Sequence, residues 1–187
     1  MNPTIELLAT RRSAPPVLMR EPGPNAQELE LLLTLASRVP DHGKLAPWRF
    51  IVFEGDGRAR AGQAVAEVYA SRNKNAEDKS LDLERGRFMR APMVIGVVSR
   101  AAPHVKIPLW EQEMSAGAVC MALTIAATAL GFRTAWLTEW YAYDREVLGK
   151  LGLVEYEKIA GFIHLGRVEA APEDRPRPAL ANIVSSF

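Results

Sequence analysis

Two cations and a hydroxyl stand side by side at Arg11-Arg12-Ser13. Guanidinium groups offer forked, charge-assisted donors, so this triplet suits a phosphate group. A second concentration follows in Arg38-Val39-Pro40-Asp41-His42-Gly43-Lys44-Leu45-Ala46-Pro47-Trp48, where Arg38, His42 and Lys44 bring positively chargeable side chains into one proline-bounded loop. Each segment also has an ordinary reading. Adjacent arginines are common on protein surfaces, and the loop serves equally as a connection ending in a half-buried Trp48.

Several other chemistries fail on spacing. Gly55-Asp56-Gly57 follows a strand-like run, yet position 60 is Arg60 where a dinucleotide fingerprint needs a third glycine for close helix packing. Ser115, in Glu113-Met114-Ser115-Ala116-Gly117, lacks the first glycine of a nucleophile elbow and falls inside a helical pattern. His42, His104 and His164 are far apart, and none pairs with another ligand type at zinc-site spacing. Cys120, the single cysteine, lies in the most apolar stretch, where a thiol behaves as a small hydrophobe.

These residues need elements to hold them. The pattern predicts a helix over Thr4–Thr10 that ends at Arg11 and Arg12, because Ala14-Pro15-Pro16 forces extended or turn geometry. Asn25 with Glu28 predicts a capping box, followed by Leu29, Leu32, Leu33 and Ala36 at helical spacing. Arg49–Phe53 reads as a strand, Asp56 as the cap of a helix continuing through Ala61–Arg72, and the charged stretch 73–87 as an exposed helix or a mobile excursion. Pro92–Ser99 reads as a buried strand, then a long helix from about Glu111 to Leu130, stopped by Gly131. Arg133–Thr138 is a further strand, Asp144 caps a helix to Leu151, and Lys158–Val168 is the last strand. From Ala170 the prolines at 172, 176 and 178 predict an extended arm suited to docking on a partner subunit.

At 187 residues and 48% hydrophobic, the chain reads as one domain, 1–187, with 170–187 as its C-terminal arm. The 23 basic and 22 acidic residues leave a net charge of +1, so no global field points to nucleic acid or an anionic membrane. The apolar run Met114–Leu130 is somewhat shorter than the roughly 20 residues a bilayer span needs and reads as a buried helix. A lone cysteine and an opening unlike a signal peptide lead us to expect a cytoplasmic protein.

Taken together, the early RRS, the loop PDHGKLAPWRF, the helix WEQEMSAGAVCMALTIAATALGF and the late GFIHLGR resemble the FMN-dependent nitroreductase superfamily, and within it the compact YdjA-like branch. The resemblance implies an α+β fold, a central, mostly antiparallel sheet covered by helices, in an intertwined homodimer with FMN at the subunit interface. It implies NAD(P)H oxidoreductase chemistry, with hydride passing from NADH or NADPH to the flavin N5 and then, in a ping-pong cycle, to a nitroaromatic, quinone or related acceptor. No side chain need be a nucleophile, since the cofactor carries the chemistry. By the same resemblance, Arg11, Arg12 and Ser13 contact the FMN phosphate, ribityl chain or ring edge, while Arg38 and His42 approach FMN from the other subunit. Trp136, Leu137 and Thr138 lie along the flavin, and Gly166 with Arg167 forms a late turn that helps hold the phosphate.

Two departures bear on this. Many relatives continue RRS with a further Arg, whereas this chain has Ala14, leaving Arg167, Arg175 or Arg177 to supply the charge. His42 stands where larger nitroreductases carry Ser and Asn, so their substrate habits do not transfer. Trp110, Trp140 and Tyr141 are candidates to line the open face of the pocket, with core or interface packing as the other reading of each. The small residues Ser115, Ala116, Gly117, Ala118, Ala122 and Ala126 allow close helix approach, across an interface or within one subunit. The alternatives to an oxidoreductase of broad acceptor range are an enzyme for one narrow metabolite, a flavin-binding storage or sensing protein with slow turnover, and a dimeric scaffold without cofactor.

Overall fold

The computed structural model describes residues 2–170 and 172–187, so within the expected arm only Ala171 lies outside the description. Helix α1 (Pro3–Thr10) starts at Asn2, whose side chain accepts from the Thr4 N–H at 2.9 Å, and it buries none of its residues. Helix α2 (Ala26–Ala36) opens on the anticipated capping box. Asn25 Oδ1 accepts from the Glu28 N–H at 3.0 Å and Glu28 Oε2 from the Asn25 N–H at 2.9 Å. Then follow β1 (Trp48–Phe53), α3 (Asp56–Arg72), α4 (Asp78–Arg85), β2 (Met93–Ser99), α5 (Leu109–Ala129), β3 (Arg133–Leu137), α6 (Arg145–Lys150) and β4 (Lys158–Gly166).

The four strands form one antiparallel sheet in the order β1-β2-β4-β3. Alternation sends Phe53, Val94, Val98 and Phe162 to one face, where they pack with Val65 and Val68 of α3, Val147 and Leu148 of α6, and with Phe88 and Tyr141. Met93, Ile95, Val97, Ile163 and Leu165 turn to the other face, against Leu32 of α2 and Val119, Cys120 and Leu123 of α5. Helices therefore cover both faces of the sheet. The β2–β4 register shifts between Val97, paired with Gly161, and Val98, paired with Ile159. Ala160 is thereby left out of the pairing, and its carbonyl accepts from Trp136 Nε1 at 3.0 Å.

Three expectations shift. Gly55, at φ +48°, caps α3, and Asp56 occupies the first helical position with no side-chain capping bond, because the turn there needs a left-handed residue. Of the two readings of the charged stretch 73–87 the helix holds, as α4, but its Glu84 is buried where an exposed face was expected. Its charges face a network, since Glu84 pairs with Arg87, which reaches Glu139 at 2.7 Å. Strand β4 stops at Gly166 because Arg167 leaves β3 and exchanges backbone hydrogen bonds with Arg20, at 2.8 and 3.0 Å. No helix of the described residues is long and apolar enough to cross a membrane.

Candidate functional site

The chain leaves α1 at Arg11 in an extended conformation, and the Ala14 N–H donates to the Thr134 carbonyl at 3.0 Å. That bond ties Ala14, at the end of the segment 11–14, to the edge strand β3. The returning arm meets this segment at Arg12. Arg12 donates to the Glu173 carbonyl and pairs with Asp174 at 3.5 Å, while Arg177 pairs with the same carboxylate at 3.3 Å. Burial, then the charges of Arg177 and Arg12, lower the Arg11 pKa from its ordinary value, with no carboxylate offsetting them. Arg11, Arg12 and Arg177 thus share one corner, where Asp174 is the acid paired with Arg12 and Arg177 among the described residues, beside the exposed Ser13. A dianion with several acceptor oxygens is the ligand this donor set fits.

Strand β3 forms the adjoining wall. Trp136 is 42% exposed and its indole lies over Gly161, where an added Cβ would come within 2.1 Å of Nε1. A side chain at position 161 would therefore evict the indole. Leu137 packs against the buried set of Ala14, Met19, Ala91 and Ala135, and Thr138 is exposed just past the strand. Glu139 then anchors the turn, accepting from Arg87, Arg90 and the Tyr141 hydroxyl. Although burial opposes it, hydrogen bonds from Arg90 and Tyr141 hold the Glu139 carboxyl below the usual carboxylate range. Burial and the Glu139 charge push the Tyr141 hydroxyl well above its ordinary value.

The loop from Arg38 to Trp48 is pinned to α5. Ser115 Oγ donates to the Pro40 carbonyl at 2.6 Å, and the Asp41 carboxylate accepts from the N–H groups of Leu45 and Ala46 at 3.0 and 2.9 Å. Gly43, at φ +73°, packs so tightly that a Cβ would meet Ile107 Cδ1 at 2.5 Å. His42 Nδ1 lies 2.6 Å from Glu111 Oε2 on α5, and Arg38 is exposed. Among the described residues no hydrogen bond joins Arg38 or His42 to Arg11, Arg12 or Ser13. One chain presents the two clusters separately.

Among the described residues no hydrogen bond or ion pair joins Gly166 or Arg167 to Arg11, Arg12 or Arg177. A Cβ on Gly166 would meet Met19 Cβ at 2.7 Å and Pro92 Cδ at 2.8 Å, so its bareness serves packing. The Arg167 guanidinium stacks 4.5 Å over the Phe132 ring and reaches Glu28 at 4.0 Å. Of the arginines left open by the sequence, Arg177 is the one brought to Arg11.

The Nitroreductase family profile matches residues 8–167. The chain belongs to the nitroreductase family. It is 41% identical over 162 residues to the "Putative NAD(P)H nitroreductase YdjA" of Escherichia coli (strain K12), covering 87% of this chain and 86% of that relative. Among solved structures, a nitroreductase-like family protein from Bacillus cereus superposes with a TM-score of 0.84 at 21% identity, over 100% of this chain and 97% of that one. The FMN-dependent nitroreductase NfnB of Mycobacterium smegmatis, solved in complex with NADPH, gives 0.76 at 18% identity over 98% of each chain. At these identities the two structures show the nitroreductase fold.

The nitroreductase match covers Arg11 to Ser13, Arg38, His42, Trp136 to Thr138 and Gly166 to Arg167, and stops short of Asp174 and Arg177. Asp174, Glu111 and Glu139 escaped sequence reasoning, because an acid reveals its partner only once distant elements meet. Of the aromatic candidates, Tyr141 is core, Trp140 is half-buried with its Nε1 donating to Glu84 at 3.0 Å, and Trp110 is 69% exposed. Cys120 is core as well, its thiol pushed up to about 12 by burial. Among the described residues no cluster of three or more His, Cys, Asp or Glu could hold a metal.

Proposed function

We propose that this nitroreductase-family chain binds FMN and acts as an NAD(P)H-dependent flavin oxidoreductase. The observation that carries the reading is the arginine corner beside Ser13 and the exposed end of β3, where Arg12 and Arg177 share Asp174, Arg11 feels both guanidinium charges, and among the described residues no acid pairs with Arg11. When bound, FMN would supply the hydride-transfer chemistry between NADH or NADPH and a nitroaromatic, quinone or related acceptor, in a ping-pong cycle. Arg11, Arg12 and Arg177 hold the phosphate, with Ser13 on the ribityl chain or ring edge. Trp136, Leu137 and Thr138 border the ring along β3. Gly166 and Arg167 serve at one remove, by fixing the segment around Met19 and Arg20 that follows the corner.

The partner subunit's copy of the loop supplies Arg38 and His42. A homodimer is supported by the outward face of α5, where Trp110, Met114 and Met121 are exposed and the Gly117 position opens on empty space. Ile5 and Leu8 on α1 and Leu180, Ile183, Val184 and Phe187 on the arm are exposed as well. So much apolar surface on one chain marks an interface. Ser115, Ala116 and Ala126 face inward, so the small residues of α5 serve both roles. The cytoplasm, where reduced nicotinamides are maintained, is the compartment this activity suits.

The deciding measurement is the visible spectrum of the purified protein after FMN addition and desalting, followed by anaerobic stopped-flow mixing with NADH and NADPH. Retained flavin bands that bleach within seconds are expected. Retained bands that bleach only over many minutes would replace the enzyme with a flavin storage or sensing protein, and absence of retained flavin would overturn the reading.

A further inference from the structure

His42 is held by one ring nitrogen only. Its Nδ1 lies 2.6 Å from the Glu111 carboxylate, while its side chain remains 62% exposed and that of Glu111 39% exposed. A carboxylate accepts and cannot donate, so Nδ1 carries the proton of this bond and Nε2 is the atom turned outward. An exposed pair of this kind contributes little to folding, so stability gives no account of so short a contact. The backbone around it is fixed independently by Ser115 on Pro40 and by Asp41 on Leu45 and Ala46. Only the imidazole needs Glu111. Moreover, Glu111 stands in the first turn of α5, next to Trp110 in the chain and on the flank of the apolar face assigned above to the partner.

The geometry points to Glu111 as a positioning residue that locks His42 as the Nδ1–H form and presents Nε2 across the interface to the partner's FMN. This inference rests on the assignment of His42 to that site. A metal-ligating histidine is commonly oriented by a carboxylate on its other nitrogen, and the same logic applies to any ring that must meet a ligand with one chosen atom.

The test uses the intact protein and its Glu111→Ala, Glu111→Gln, His42→Ala and His42→Ala/Glu111→Ala variants. Proton–nitrogen correlation spectra of the cofactor-free protein above pH 8 read the His42 tautomer, and flavin fluorescence titration reads FMN affinity. Glu111→Ala is expected to move His42 toward the Nε2–H form and to weaken FMN binding by roughly tenfold, the loss of one charge-assisted orienting contact. Glu111→Gln, which keeps an acceptor oxygen, is expected to restore both. In the His42→Ala background the Glu111→Ala effect should vanish. Should His42→Ala bind FMN as tightly as the unaltered protein, the assignment of His42 and this inference fall together. Should His42→Ala weaken binding while Glu111→Ala leaves tautomer and affinity unchanged, only this inference falls. An undiminished Glu111 effect without His42 would likewise overturn it.

Discussion

Arg11 bears the like charges of Arg177 and Arg12, and in the proposed site the FMN phosphate would offset them. Arg177→Ala should weaken FMN binding by roughly ten- to a hundredfold, the worth of one or two charge-assisted hydrogen bonds. Arg167→Ala should cost much less, since Arg167 is occupied with Phe132 and Glu28. Fluorescence titration with FMN ranks the two, and the reverse order would return the phosphate to Arg167. His164 makes a different kind of prediction. It is fully buried, its Nδ1 has no partner, and burial, with help from Arg90, pushes its pKa down to about 4. In the unfolded chain histidine titrates near 6.5. Between those values the unfolded state binds more protons, so stability is full above about pH 6.5 and is lost as pH falls toward 4, by about 3 kcal/mol. Urea titrations of His164→Leu at pH 7 and pH 4.5 should show a smaller difference than the unaltered protein shows. An equal difference would remove His164 as the cause.

At the scale of elements, one glycine sets the spacing of α3 and α4. A Cβ on Gly62 would lie 2.0 Å from the Arg85 carbonyl oxygen, which is backbone and cannot swing aside. Replacing glycine by alanine inside a helix ordinarily gains about 1 kcal/mol. Here the clash should win, and Gly62→Ala is expected to destabilise by about 1–3 kcal/mol, measured by urea denaturation. A stabilised variant would mean that the helices can separate freely. Local signals of this size explain how much of the fold could be read beforehand. The capping box at Asn25 and Glu28, the helical run of α5 and the stop at Gly131 are written in neighbouring residues and emerged as expected. At α4 the helix was one of two readings, and its buried Glu84 was not legible, because Glu84 and Arg87 find Glu139 only across the fold. The strand order β1-β2-β4-β3 depends on contacts between segments far apart, and periodicity within each strand carries no trace of it.

For the whole molecule, the apolar face of α5 is the feature with the widest reach. Across the two-fold axis of the proposed homodimer each substitution acts twice, so Met114→Glu combined with Met121→Glu should leave the protein monomeric, as read by sedimentation velocity against the unaltered protein. It should also loosen FMN, because each site would lose its neighbour's Arg38 and His42. A monomer that keeps its flavin would break that link. Of the proposed site, Arg11 to Ser13 and Trp136 to Thr138 were named from the sequence, and Arg177 appeared there only as one of several choices. Proline-rich tails carry no periodicity to say where they turn back. That arm brings Asp174 as well as Arg177, and the acid occupies Arg12 and Arg177 at once. In the site proposed for the FMN phosphate this acid would be a competing anion that the phosphate has to displace. Neutralising that acid should move two properties in opposite directions. Asp174→Asn is expected to lower the melting temperature of the cofactor-free protein and to tighten its hold on FMN, so that loading and emptying trade against each other. If calorimetry and titration showed both falling together, the acid would be part of the cofactor site and no rival to the phosphate.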